Sequence, residues 1–251
     1  MITLQDIFDN LTYGDLSHVS VGGSAVGFVA DKDYPKLVYC INSALTALHK
    51  RFLLRTGELT LQQYADINQY YLRTGYAVSN ADSTLTPKYV IDTVDNPFTG
   101  NLFKVERVIS PSGGALVLND SLVSEDNPVY YKGEIIQTTP IYTPNFDTLF
   151  LTPTANELLK IEYRADHPKI VVTEDFNPAT VELHISSAIL DALSLNVAAR
   201  IYSPLVTGEA QNSAASSFMY QYEMECKRLE DEGIPMNDNT FDNRFDQKGF
   251  V

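Results

Sequence analysis

Tryptophan is absent from this 251-residue chain, cysteine occurs twice and histidine four times. Cys40 and Cys226 each fall in a helical pattern without a vicinal partner or metal-ligand spacing, so both are expected to be buried free thiols rather than a disulfide or a zinc site. His18, His49, His167 and His184 never stand four apart, the spacing that would set two ligands on one helix face, and no catalytic metal is expected. Basic residues are scarce: 18 Lys and Arg against 32 Asp and Glu leave a net charge of -14. That balance argues against a protein that grips a phosphate backbone through a basic face. The densest basic cluster, Lys50, Arg51 and Arg55, falls in a predicted helix, and Lys227 and Arg228 sit among glutamates. No stretch approaches the roughly eighteen apolar residues of a membrane span. The start, MITLQDIFDNLTYG, is acidic where a signal peptide is basic. A soluble protein made in a reducing cytoplasm is expected, with no membrane contact.

What is present suits a folded chain with large contact surfaces. The hydrophobic fraction is 44%, and the aromatics are 15 Tyr and 12 Phe. A chain of this length buries a core without disulfides or metals, and tyrosine is a favoured interface residue.

Periodicity divides the chain into helical ends and a strand-rich middle. Leu4, Ile7, Phe8 and Leu11 predict a helix over Thr3–Leu11, capped by Thr3 with Asp6. Gly14 to Gly27 reads as a loop. Pro35 opens a second helix, whose Leu37, Ile41, Leu45, Leu48 and Phe52 form a stripe. A weaker helical run is read over Thr60–Leu72. From Thr86 onward, short Val-, Ile- and Tyr-rich segments predict strands at 88–93, 102–110, 115–118, 129–138 and 158–163, with turns at Pro97–Gly100 and Pro111–Gly114. Helical spacing returns over Thr180–Tyr202 and again from Gly208 to Glu232, ending at Gly233. The expected fold class is α+β: an antiparallel bundle of N- and C-terminal helices (1–85 and 179–234), an inserted antiparallel β-rich region (86–178) and an extended C-terminal arm (235–251).

Chemistry is hard to find in the sequence. The glycines of 14–27 lack both the P-loop order and the dinucleotide-binding arrangement. Ser186 and Ser187 have no evident base, and the G-x-S-x-G elbow is missing. Glu223, Glu225, Glu230, Asp231 and Glu232 read as the solvated face of the last helix. Neither an enzymatic activity nor a cofactor is expected. Asn42, Arg51, Asn196 and Arg200 lie beside apolar stripes, where such residues bridge helices or subunits; Arg51 and Arg200 are the candidates for a subunit contact. The arm, PMNDNTFDNRFDQKGFV, spaces Phe241, Phe245 and Phe250 among polar residues. With aromatics but too little apolar material to fold alone, it is expected to dock on a partner.

Two runs carry a resemblance. Tyr34 to Leu59 holds Pro35, Asn42, Leu48, Arg51 and Phe52 in order. Leu183 to Ile234 holds the segment Ala198–Leu205, the helix Tyr222–Leu229 and the stop at Gly233. Together they resemble the head-to-tail connector (adaptor) family of tailed bacteriophages, including the tail tubular adaptors of short-tailed phages. The resemblance implies a structural protein of the virion neck, assembled in the host cytoplasm as a twelve-fold ring beneath the portal protein. The tail nozzle or next tail component would lie below it, and double-stranded DNA would pass through without specific binding. It further implies bundle core at Leu37–Phe52 and Leu183–Ile201, arm anchors at Phe241, Phe245 and Phe250, and neighbour contacts along 88–163. A tail terminator or completion protein, a small hydrolase and a monomeric scaffold are the alternatives.

Overall fold

The structure is a computed structural model and describes residues 2–14, 31–153, 157–202 and 209–233, of which 209–214 as backbone alone. It is of the α+β class, with four α-helices and several antiparallel sheets among these residues. The chain folds as two compact units, one built from Met1–Leu54 with His167–Asn237 and the other containing Arg55–Asp166.

The first unit starts with β1 (Ile2–Thr3) and α1 (Leu4–Tyr13). The local sequence fixes this start: the Thr3 side chain accepts from Asp6 N at 3.2 Å, and Thr3 N donates to Asp6 Oδ2 at 2.7 Å. These reciprocal bonds satisfy helix-end groups that otherwise lack partners. Helix α2 (Tyr34–Arg51) has Pro35 in its first turn, where a missing N–H costs nothing, and buries Leu37, Ile41, Ala44, Leu45 and Leu48. Helix α3 (Leu190–Tyr202) packs against α1, α2 and α4 (Glu209–Asp231), and all four contribute to one apolar core. The end of α4 is marked by Gly233, whose φ of 79° is the left-handed conformation that closes a helix.

The predicted helix Thr180–Tyr202 is shorter in the structure. Its first part forms β12 (Glu182–Leu183), which pairs antiparallel with β1, and Ser186 caps a short 3-10 turn leading into α3. The two-turn spacing of Leu183 and Leu190 suits a helix, but Leu183 is buried from a strand opposite Ile2.

Chain returning from the second unit is fastened to α2 by polar side chains. Asn42 Nδ2 donates to Ile170 O at 2.9 Å and its Oδ1 accepts from Ile170 N at 3.0 Å. His167 places Nδ1 2.9 Å from Pro168 O and Nε2 3.0 Å from Asn42 O.

The second unit holds β2 (Thr56–Gln62), β3 (Gln69–Tyr71), β4 (Val90–Ile91), β5 (Leu102–Ile109), β6 (Ala115–Leu116), β7 (Val129–Tyr131), β8 (Glu134–Gln137), β9 (Tyr142–Asn145), β10 (Thr148–Phe150) and β11 (Leu158–Ala165). These make a five-stranded sheet ordered β4-β2-β11-β5-β6, a three-stranded sheet ordered β3-β10-β9, and the hairpin β7-β8. The helix read over Thr60–Leu72 is thus the end of β2, a connecting segment and β3, and the strand-rich part of the chain starts at Thr56 rather than Thr86. Leu59 and Leu61 alternate with Glu58, Thr60 and Gln62, and the alternating pair is what is buried; the apparent helical stripe joined Leu61 of β2 and Tyr71 of β3 through Tyr64 and Ile67 of the connecting segment. The strand read over 129–138 is likewise a hairpin, broken by Lys132 (φ 51°) and Gly133 (φ 86°), the left-handed pair of a tight two-residue turn.

Alternate residues of β2, β5 and β11 supply the buried face: Leu59, Leu61, Val105, Ile161 and Tyr163. Tyr163 lies against Gly57, its cross-strand neighbour, so closely that a Cβ there would stand 2.3 Å from the ring. On the other face Glu58 and Glu162 are directly opposed. Lys160 relieves this like-charge pair, with Nζ 2.8 Å from Glu58 and 3.7 Å from Glu162.

Candidate functional site

The arm residues Phe241, Phe245 and Phe250 lie outside the described residues, as does most of the loop over 14–27. Arg51 ends α2 with its guanidinium turned to α4 of the same chain, Nη1 2.6 Å from Glu223 and Nε 2.6 Å from Glu230. Burial opposes the charge, but these two carboxylates outweigh it and hold the Arg51 pKa above its ordinary value. Arg200 is exposed on α3 and donates from Nε to Asn196 Oδ1 at 2.7 Å, one turn away. The structure does not bring the two arginines together.

The acidic residues of α4 are less free than a solvated face implies. Glu223 and Glu230 meet Arg51, while Glu225 and Glu232 meet Arg228. Hydrogen bonding to Arg228 lowers the Glu225 pKa. Cys40 and Cys226 are buried free thiols, pushed above the usual thiol range by burial. Among the described residues no group of three or more His, Cys, Asp or Glu is placed to hold a metal ion, and no helix is long and apolar enough to cross a membrane.

The distinctive surfaces are apolar and lie on hairpins. In β9-β10, Tyr142 and Phe150 are cross-strand partners and both are exposed; Phe146 in the connecting turn is 62% exposed. This hairpin is pinned from behind. Buried Asp147 takes a hydrogen bond from Arg73 Nε at 2.6 Å and another from Thr148 Oγ1 at 3.1 Å, and its carbonyl accepts from Leu72 N at 2.7 Å. Burial would raise the Asp147 pKa, but the bonds from Arg73 and Thr148 lower it on balance. On the β9 side, Thr143 N donates to Asn119 Oδ1 at 2.9 Å. Pro144 fits because β9 is an edge strand, where a missing donor is tolerated.

Hairpin β7-β8 repeats the theme, with Tyr130 and Ile135 opposed and both exposed. On α4, Met219, Tyr220 and Met224 form an exposed patch beside the buried Tyr222–Cys226–Leu229 stripe. Sequence reasoning assigned neighbour contacts to the whole of 88–163 without finding these pairs. The available signal was aromatic residues at outward positions flanking turns, as in YTPNFDTLF.

Next to the β7-β8 hairpin the second unit also has a cleft of about 430 Å³, between the β5-β6 turn, β8 and the start of β11. Its walls carry Ser110, Ser112, Gln63, Glu134 and Glu157 over aliphatic residues including Leu151 and Leu159.

No protein-family model and no curated protein matches the chain.

Proposed function

We propose that this chain is a structural head-to-tail adaptor of a tailed bacteriophage, forming a ring beneath the portal that joins capsid vertex to tail and walls the DNA passage. The observation that carries the reading is the pinned β9-β10 hairpin, which presents Tyr142, Phe146 and Phe150 to solvent on a braced backbone. Preorganised apolar anchors of this kind serve assembly, because little freedom remains to be lost on contact.

In this reading the four helices form an antiparallel bundle that is the body of each ring subunit. The strand-rich unit reaches a neighbouring copy or the next tail component, and Arg200 faces a subunit contact. The segment after Gly233 docks through Phe241, Phe245 and Phe250 on the portal or a sister copy. Repetition around a closed ring multiplies modest contacts through effective concentration. A net charge of -14 per chain suits a wall past which a polyanion slides, since a basic lining would hold DNA by its phosphates.

The test is co-purification with the cognate portal ring of the full chain and of a chain ending at Gly233. The proposal expects the full chain to be retained and the shortened chain to be lost while keeping its thermal midpoint. Failure of both forms to bind would overturn the adaptor assignment.

A further inference from the structure

The outward faces of α1 and α2, both in the first unit, carry opposite charge. Over its 18 residues α2 has no acidic side chain, although the whole chain has a net charge of -14. Burial of Leu37, Ile41, Leu45 and Leu48 turns Lys36, Tyr39, Ser43 and Lys50 outward at helical spacing. Tyr39 is 72% exposed, and Lys36 beside it is exposed too. Arg200 of α3 adds a cation on the same flank. Burial pushes the Cys40 thiol up, and Lys36 and Arg200 both act on it in the opposing sense, so the two cations stand around one point of the α2-α3 pair. Arg200 is exposed and held by Asn196, one turn back on its own helix.

Helix α1 is the reverse. It has no basic residue, and its outward stripe is Asp6, Asp9 and Tyr13, all exposed. Glu182, the exposed cross-strand partner of Thr3, adds a third carboxylate at the start of the helix. Asp6 caps α1 with Thr3, and Asp9 accepts from Gln5 Nε2 at 2.7 Å. No Lys or Arg side chain among the described residues pairs with Asp6, Asp9 or Glu182. The two faces lie on separate flanks of α3. Ser194 meets α1 through Asn10 Nδ2 at 3.2 Å, whereas Arg200 lies by Cys40 of α2.

We propose that the first unit docks on a second copy of this chain head to tail, the face of Lys36, Tyr39 and Arg200 on one copy meeting the face of Asp9, Tyr13 and Glu182 on the next. The occupant is a copy because the chain itself supplies both halves of the charge match. Each half also carries an exposed tyrosine, a side chain that gives contact area at low entropic cost. A contact between two unlike faces repeats from copy to copy until it closes. The inference rests on the adaptor reading for its purpose, and it gives that ring its subunit contact.

The test is sedimentation velocity of the full chain at low ionic strength, without portal. Wild type is expected to form species larger than the monomer that added salt disperses, because screening shortens the reach of exposed charges. Lys36→Glu with Arg200→Glu, and separately Asp9→Lys with Glu182→Lys, are each expected to weaken self-association at least about tenfold at an unchanged thermal midpoint. The second pair makes the chain less acidic, so loss of association there does not come from net charge. A one-to-one mixture of the two variants sets glutamates against lysines at one contact and restores the native match at the next. Association is expected to return in that mixture. A wild type that stays monomeric at every salt concentration, reversed variants that associate as wild type does, a mixture that remains monomeric, or uptake of DNA instead of a second copy at Lys36 and Arg200 would overturn the proposal. Portal binding is read separately. A monomeric chain that still adds to the portal overturns this contact alone, and self-association without portal binding overturns the adaptor assignment alone.

Discussion

Asn42 lends its side-chain amide to the peptide group of Ile170 as a strand would, donating to the carbonyl and accepting from the N–H. Asn42→Leu strands both backbone groups, and the expected cost is about 1–3 kcal/mol in a urea titration of the intact chain. At Asp147 the consequence depends on pH. Its folded pKa is lowered, so its contribution is present above the unfolded value near ~3.9 and is lost as pH falls through the folded value. Stability measured from pH 6 down to pH 2 should therefore drop along an acid limb that Asp147→Asn makes shallower; an unchanged limb would contradict this. At this scale only short-range chemistry was legible. The Thr3–Asp6 cap could be read because its partners are three residues apart. Arg51 could not, because its carboxylates stand 172 and 179 residues away, and an arginine beside an apolar stripe looks the same whether its partner is on its own chain or another.

Neighbouring residues of β10 have separable roles at the level of the element. Leu149 is fully buried, and Leu149→Ala is expected to cost about 2–5 kcal/mol and to lower the thermal midpoint. Tyr142→Ser with Phe150→Ser changes exposed positions, so the midpoint should hold within the effect of about 1 kcal/mol typical of surface changes while portal binding falls. Loss of folding in the double variant would mean that the hairpin face is part of the core. Long amphipathic helices were the most legible elements, because α2 repeats its apolar spacing over 18 residues. Short strands were not. Those of the second unit run from two to eight residues, and over Thr60–Leu72 Leu61 of β2 and Tyr71 of β3 happen to fall in a three- and four-residue rhythm with Tyr64 and Ile67 of the segment that connects them. A window spanning both shows a period that neither strand possesses.

For the molecule as a whole, the sequence carries a helical beginning and end around a strand-rich middle, and the two compact units follow that division with an earlier switch, at Arg55. The middle unit leaves and re-enters through paired chain: Ala165 N donates to Arg55 O at 3.0 Å, and Arg55 Nη1 donates to Asp166 O at 3.1 Å. With its ends tied together and a core of its own, a fragment of residues 55–166 is expected to unfold cooperatively by itself; a broad, non-cooperative melt would contradict this. The cleft beside β8 was invisible at the sequence level, since Gln63, Ser110, Glu134 and Glu157 come together only through strand pairing. The adaptor proposal is tested most directly by native mass spectrometry of the chain mixed with its cognate portal ring. Twelve copies added to each portal is the result the account predicts. A free monomer beside an unchanged portal, or a six-membered ring that ignores the portal, would contradict it.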